Sequence, residues 1–282
     1  MLLLSALPLL FLQVGPNPTV GSIPGLPDEL RNRPPREETA PAEPQRQTRL
    51  SQCLLSAGRN AQEALDYAQA WREIADSDAE LAQTSHCAGL ALVRLERFDE
   101  ARQAFAAARD EIGDTNPAYR ARLSAMVGNA AMAAGEAEAA LPEFERAEQD
   151  AAVAGEAKMR AGFAIDRARA LVATGKPELA VAALTTARES DPSNARAWLL
   201  SATLSRRLER LGEAQRQIEY AADLAPRDPA IGLEAGVIAA MAGREVDARS
   251  SFTSVIDVAP DSPEAATARK YLDQLGGDPA GR

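Results

Sequence analysis

Histidine, cysteine, lysine and aromatic residues are scarce in this chain, and each scarcity closes off a class of chemistry. There is one histidine, His86, and there are two cysteines, Cys53 and Cys87. That set cannot assemble the common structural zinc ligand combinations, so no metal site is expected. A histidine-based triad would have to use His86. Its neighbour Cys87 points about 100° away on a helix, too far round for a Cys–His hydrogen bond, so His86 reads as a structural residue. The glycine-rich phosphate loop, the dinucleotide fingerprint, the zinc-protease pair and the nucleophile elbow are all missing. Neither an enzyme activity nor a cofactor is therefore expected. Three lysines, a net charge of -10 and a pI near 4.9 argue against a nucleic-acid partner, because phosphate binding needs a basic face.

What the chain does have is alanine, arginine and glutamate in quantity, with few β-branched residues. That composition favours helix almost throughout. Small side chains also allow helices to approach closely. The acidic run Glu136, Glu138, Glu143 and Glu145 stands beside arginines and reads as a solvated face.

The N-terminus is different. Residues 1–12 are almost wholly apolar, too short a run for a membrane span of about 20 residues. Residues 1–21 are read as a signal peptide or N-terminal apolar anchor, with Thr19-Val20-Gly21 as the small-residue cleavage context. This implies an exported protein, periplasmic if bacterial, with membrane contact only through an uncleaved N-terminus. The other reading is a cytoplasmic protein whose first segment is an apolar helix. Residues 22–44 form a proline-rich flexible linker, and residues 276–282 a disordered tail.

From about residue 45 a period emerges. Pro192, Pro226 and Pro260 fall 34 residues apart, and so do Ala180, Ala214 and Ala248. Leu184, Ile218 and Phe252 follow each of those alanines by four, and Ala187, Ala221 and Val255 follow by three more. Self-similarity at such a period signals a solenoid. Upstream, Ala140, Phe144 and Ala147 repeat the signature, as do Ala101, Phe105 and Ala108, with Ala64, Ala68 and Trp71 as a degenerate version.

This pattern resembles the tetratricopeptide repeat, with its paired helices and A-x3-F…P signature. The resemblance implies an all-α solenoid of about six helix pairs, at residues 45–78, 82–115, 121–154, 161–194, 195–228 and 229–262. Residues 262–275 read as a capping helix begun by Ser262 and Pro263. Small residues occupy the close-packed first-helix position: Gly89, Gly128, Ala168, Ala202 and Gly236. Gly135, Gly175 and Gly243 sit at turns between paired helices.

The resemblance also implies a scaffold or adaptor that binds a peptide or partner helix on its first helices. In the family, unit positions 2, 5, 9 and 12 commonly face that groove. In units one and two these positions include Arg46, Arg49, Cys53, Gln83, His86 and Leu90, and in the last unit Leu233, Val237 and Ala240. The middle units offer Arg122, Asn129, Met132, Arg169, Arg196, Thr203 and Arg206, of which all but Met132 are read as partner-binding. Arginine forks suit carboxylates and asparagine suits peptide groups, so an acidic or C-terminal segment is the expected ligand there. The other reading is that these arginines pair with neighbouring acids.

The chain departs from the family's chaperone-binding clamp, because Cys53 and Cys87 stand where two asparagines would and Asp166 intrudes in a later unit. No heat-shock chaperone partner is therefore expected. In clamp-type relatives those two positions contact one ligand, which implies that Cys53 and Cys87 face each other. A disulfide in an oxidising compartment and a pair of reduced thiols in the core both fit. Two further functions remain open, a self-assembling structural repeat protein and a regulatory subunit of an enzyme complex. The oligomeric state is unassigned.

Overall fold

The computed structural model describes residues 48–276. The readings made for residues 1–44 and for most of the tail lie outside the described residues.

Among the described residues there are thirteen α-helices, joined by short turns, and no strand. In chain order they are α1 (Arg49–Ala57), α2 (Ala61–Arg72), α3 (Asp78–Arg94), α4 (Phe98–Ile112) and α5 (Pro117–Ala133). Then come α6 (Ala137–Val153), α7 (Ala157–Ala173), α8 (Pro177–Ser190) and α9 (Ala195–Arg207). The last four are α10 (Leu211–Leu224), α11 (Pro229–Met241), α12 (Glu245–Val258) and α13 (Pro263–Gln274). Each odd-numbered helix from α1 to α11 packs against the even-numbered helix that follows it, which gives six pairs with α13 closing on α11 and α12. Among the described residues no helix is long and apolar enough to cross a membrane.

Local chemistry sets the ends of these helices. Thr48, Asn60, Ser77, Asn116, Asn194, Asp228 and Ser262 each accept a first-turn backbone N–H through the side chain, which satisfies donors that have no helical partner. Pro117, Pro177, Pro229 and Pro263 open their helices where no N–H is needed. Pro192, Pro226 and Pro260 follow the ends of α8, α10 and α12, where proline cannot continue a helix.

Within the pairs of units three, four and six the chain turns through one residue at positive φ: Gly135 (82°), Gly175 (70°) and Gly243 (73°). Units two and five place Glu96 (58°) and Glu209 (60°) in this role instead.

The core is a run of small clusters strung along the array rather than one large centre. Alanine dominates it, and one recurring second-helix position carries a bulky buried residue in units two to six: Phe105, Phe144, Leu184, Ile218 and Phe252. Each bulky residue meets the small first-helix position 16 residues before it. Glycine stands there where the partner is phenylalanine, as in Gly89–Phe105, Gly128–Phe144 and Gly236–Phe252. Alanine stands there where the partner is Leu184 or Ile218. Side-chain volume is thus shared between the two helices of a pair, as close packing demands.

Ion pairs tie successive units together on the second-helix side. Arg72 on α2 contacts Glu111 on α4 at 2.6 Å, and Arg109 on α4 contacts Glu143 on α6 at 2.6 Å. Arg102 contacts Glu136 across the same joint. Part of the acidic run read as a solvated face is therefore an inter-unit seam, with Glu143 mostly covered.

Candidate functional site

The first helices α5, α7, α9 and α11 carry the residues read as partner-binding. Arg122 and Asn129 on α5 are exposed and make no hydrogen bond or ion pair among the described residues. Arg169 on α7 is 59 % exposed at its side chain and touches Asp166 of its own helix at 3.5 Å. Arg196, at the start of α9, is exposed and acts on the same Asp166 through its charge. Burial raises the pKa of Asp166, and Arg169 and Arg196 oppose that shift. Thr203 donates its hydroxyl to the Leu199 carbonyl at 3.0 Å, so its methyl group is the part left to face outward. Arg206 grips Glu234 of α11 with both arms, at 2.6 and 3.3 Å. Its guanidinium is committed to a joint between units, unlike that of Arg169.

Two of these residues, Arg169 and Thr203, line one open hollow of about 200 Å³ between units four and five. Its walls are Ile165, Ala168 and Val172 from α7 and Leu200 and Leu204 from α9, with Leu184 of α8 behind them. Arg207 completes the rim. It is exposed and has no acidic partner among the described residues. Reading unit positions 2, 5, 9 and 12 reaches Val172, at position 12 of unit four, but passes over Leu200 and Arg207. The signal that points to them is the paired Arg206-Arg207 at the end of a helix whose preceding turns carry Leu200 and Leu204. The hollow is apolar inside and cationic at its edge, an arrangement that suits shape recognition rather than bond making.

In the first two units Cys53 and His86 do not face a groove, since both are buried, while Arg49 is exposed and Gln83 and Leu90 are half-buried. α1 has nine residues and lies against both α2 and α3. Cys53 on α1 and Cys87 on α3 have Cα atoms 6.1 Å apart, and their sulfurs meet at bonding contact. That span lies within the range a disulfide requires.

The Nδ1 of His86 shares a hydrogen bond of 2.8 Å with the Tyr119 hydroxyl on α5. Its Nε2 is buried without a partner among the described residues. Burial lowers the His86 pKa to about 4, so the ring is neutral at pH 7. A neutral, desolvated imidazole held by a tyrosine joins unit two to unit three. No cluster of His, Cys, Asp or Glu able to hold a metal ion occurs among the described residues.

A family model for the tetratricopeptide repeat matches residues 165–214 and 202–265. No curated protein sequence matches the chain. Among solved structures, the apo form of RapI superposes with a TM-score of 0.72 at 12 % identity, over 82 % of this chain and 70 % of that one. PilW, a type IV pilus biogenesis factor, gives 0.61 at 15 % identity, over 78 % and 96 %. YrrB, a repeat protein with an unusual peptide-binding site, gives 0.51 at 18 % identity, over 75 % and 98 %. At such identities the likeness is one of fold. Together with the family match and the six stacked helix pairs, it gives this chain the fold of a tetratricopeptide repeat solenoid.

Proposed function

We propose that the chain is a non-catalytic scaffold that holds an extended, acidic segment of a partner protein along α5, α7 and α9, in an extracytoplasmic compartment. The observation that carries this reading is the row of exposed guanidiniums on those helices. Arg122 and Arg207 lack ion-pair partners among the described residues, and Arg196 has only its charge interaction with Asp166, although the chain as a whole carries a charge of -10. On an acidic protein, cations left unpaired on one surface favour an anionic ligand. Rigid helix pairs also present that surface preorganised, which lowers the entropic cost of holding an extended chain.

Two lines support the compartment. The apolar residues 1–12 have the length of a secretory leader's core. Cys53 and Cys87 lie at bonding contact, and disulfides persist where the environment is oxidising. The fold is also that of YrrB, which has a peptide-binding site, and of PilW, a pilus biogenesis factor.

The test is crosslinking capture from the native host, using C-terminally tagged protein and its Arg169→Glu/Arg196→Glu variant. A reproducible companion captured by the wild type and lost by the variant supports the reading. A companion retained by the variant excludes this surface. The same mass spectra report the mature N-terminal residue. An intact Met1 in the cytoplasm would overturn the export reading.

A further inference from the structure

The hollow between α7 and α9 is more specific than a charged surface. Every unit must fill the space beside its small first-helix residue, and units two, three and six do so with Phe105, Phe144 and Phe252. Unit four has Leu184 at that place, opposite Ala168. About 200 Å³ stays open beside it, lined by Ala168, Val172 and Leu200. For scale, an apolar protein cavity of roughly 150 Å³ admits a benzene molecule. The hollow thus has room for one large side chain and too few polar groups to hold water well. Thr203, the polar side chain between the rim arginines, has already donated its hydroxyl proton to its own helix.

The rim adds a second requirement. Arg169 stands on α7 and Arg207 on α9, so cations border the hollow from both helices. One carboxylate, Asp166, lies near Arg169, at 3.5 Å. Arg207 is not neutralised among the described residues. A purely apolar ligand would leave Arg207 without a counter-charge, and a purely acidic one would leave the apolar walls wet.

We propose that this hollow is an anchor site for one large apolar side chain, Leu, Ile, Met or Phe, of a partner's internal segment, flanked on either side by aspartate or glutamate. The apolar residue enters between Val172 and Leu200, and the flanking carboxylates meet Arg169 and Arg207. This deepens the scaffold reading above and rests on it. It adds a sequence requirement that the charged surface alone does not impose.

The experiment is selection of random dodecapeptides displayed on phage, which carry no free peptide C-terminus, against the full-length protein. Selected sequences are then synthesised and titrated by fluorescence anisotropy against wild type, Thr203→Trp, Val172→Trp and Arg169→Glu/Arg207→Glu. The two tryptophans fill the hollow from independent rim positions, and circular dichroism checks that each variant is folded. The expected consensus is one large apolar residue with acids within three positions on both sides. Its replacement by Ala in the peptide, either tryptophan variant, and the double charge reversal should each weaken binding at least tenfold. Peptides that lose binding on charge reversal but tolerate both tryptophans would overturn the anchor while leaving the acidic-segment reading intact. A consensus without an apolar residue would do the same. Selection of no peptide at all would overturn both.

Discussion

A Cβ atom added to Gly236 would stand 2.6 Å from Cδ1 of Phe252, the bulky residue of its own unit. The glycine therefore holds no special backbone angle here and serves to make room for a ring. The Gly236→Ala variant is expected to lose about 1–3 kcal/mol through overpacking, partly offset by alanine's better helix propensity of about 1 kcal/mol. Unit four carries Ala168 opposite Leu184, which shows how the fold accommodates an alanine at this place. The double variant Gly236→Ala/Phe252→Leu should therefore be more stable than the sum of the two single changes predicts. Urea denaturation of all four proteins measures the coupling. Strict additivity would show that the two positions do not share volume.

The turn residues invite a change in the opposite direction. Glu209 adopts φ 60° at the place where units four and six carry Gly175 and Gly243. A left-handed conformation costs a non-glycine residue about 1–2 kcal/mol, while glycine loses more entropy on folding. Glu209→Gly should give a net gain of about 0.5–1 kcal/mol, seen as a higher Tm. The reverse change, Gly243→Glu, should lower Tm. Equal melting curves would mean that the surrounding turn already relieves the strain.

The fold was legible in the sequence because its determinants recur. Ala214, Ile218 and Ala221 each reappear as a similar residue 34 positions away in both directions, since each unit solves the same packing problem. The binding surface was only partly legible, because it depends on what packing leaves uncovered. Arg169 and Thr203 do face the hollow, but Arg206 is taken by Glu234, and Arg207 one residue further on is not. Which of two adjacent arginines finds a carboxylate depends on the next unit's helix, where no periodic signal points to Glu234. Cys53 and His86 were placed on a groove by unit position alone, yet Cys53 turns toward Ala64 and Cys87 and His86 packs against Phe105 and Tyr119, so both are buried.

The two cysteines lead to a prediction about the end of the array. A bridge between Cys53 and Cys87 spans 34 residues. Chain-entropy reasoning gives a loop of that length about 3–4 kcal/mol. In a repeat array, stability is local to neighbouring units. Reduction should therefore loosen the first helix pair while leaving the last one as it was. Hydrogen exchange with and without a reducing agent checks this. Amides of α1 and α2 should lose protection, and those of α11 and α12 should not. No change at α1 would mean that the cysteines are held as thiols, and would also remove one support for export.

His86 sets a pH dependence of a particular sign. Its pKa falls from 6.5 to about 4 because burial disfavours the charged ring. The unfolded chain therefore binds a proton more readily than the folded one between these two values. By linkage, the stability contributed by neutral His86 is fully present above pH 6.5, declines as the pH falls, and is gone below about pH 4. One pKa unit corresponds to about 1.4 kcal/mol, so the loss over the window is on the order of 3 kcal/mol. Carboxylates also titrate near the bottom of that range, so the comparison must be with a variant that lacks the imidazole. His86→Asn keeps a group able to reach the Tyr119 hydroxyl and cannot take up a proton. Urea unfolding at pH 7.0 and 5.0 should show wild type losing more stability than the variant across this step. If both fall in parallel, the acid sensitivity of the array comes from its ion pairs, and the ring at the joint between units two and three is protonated without cost.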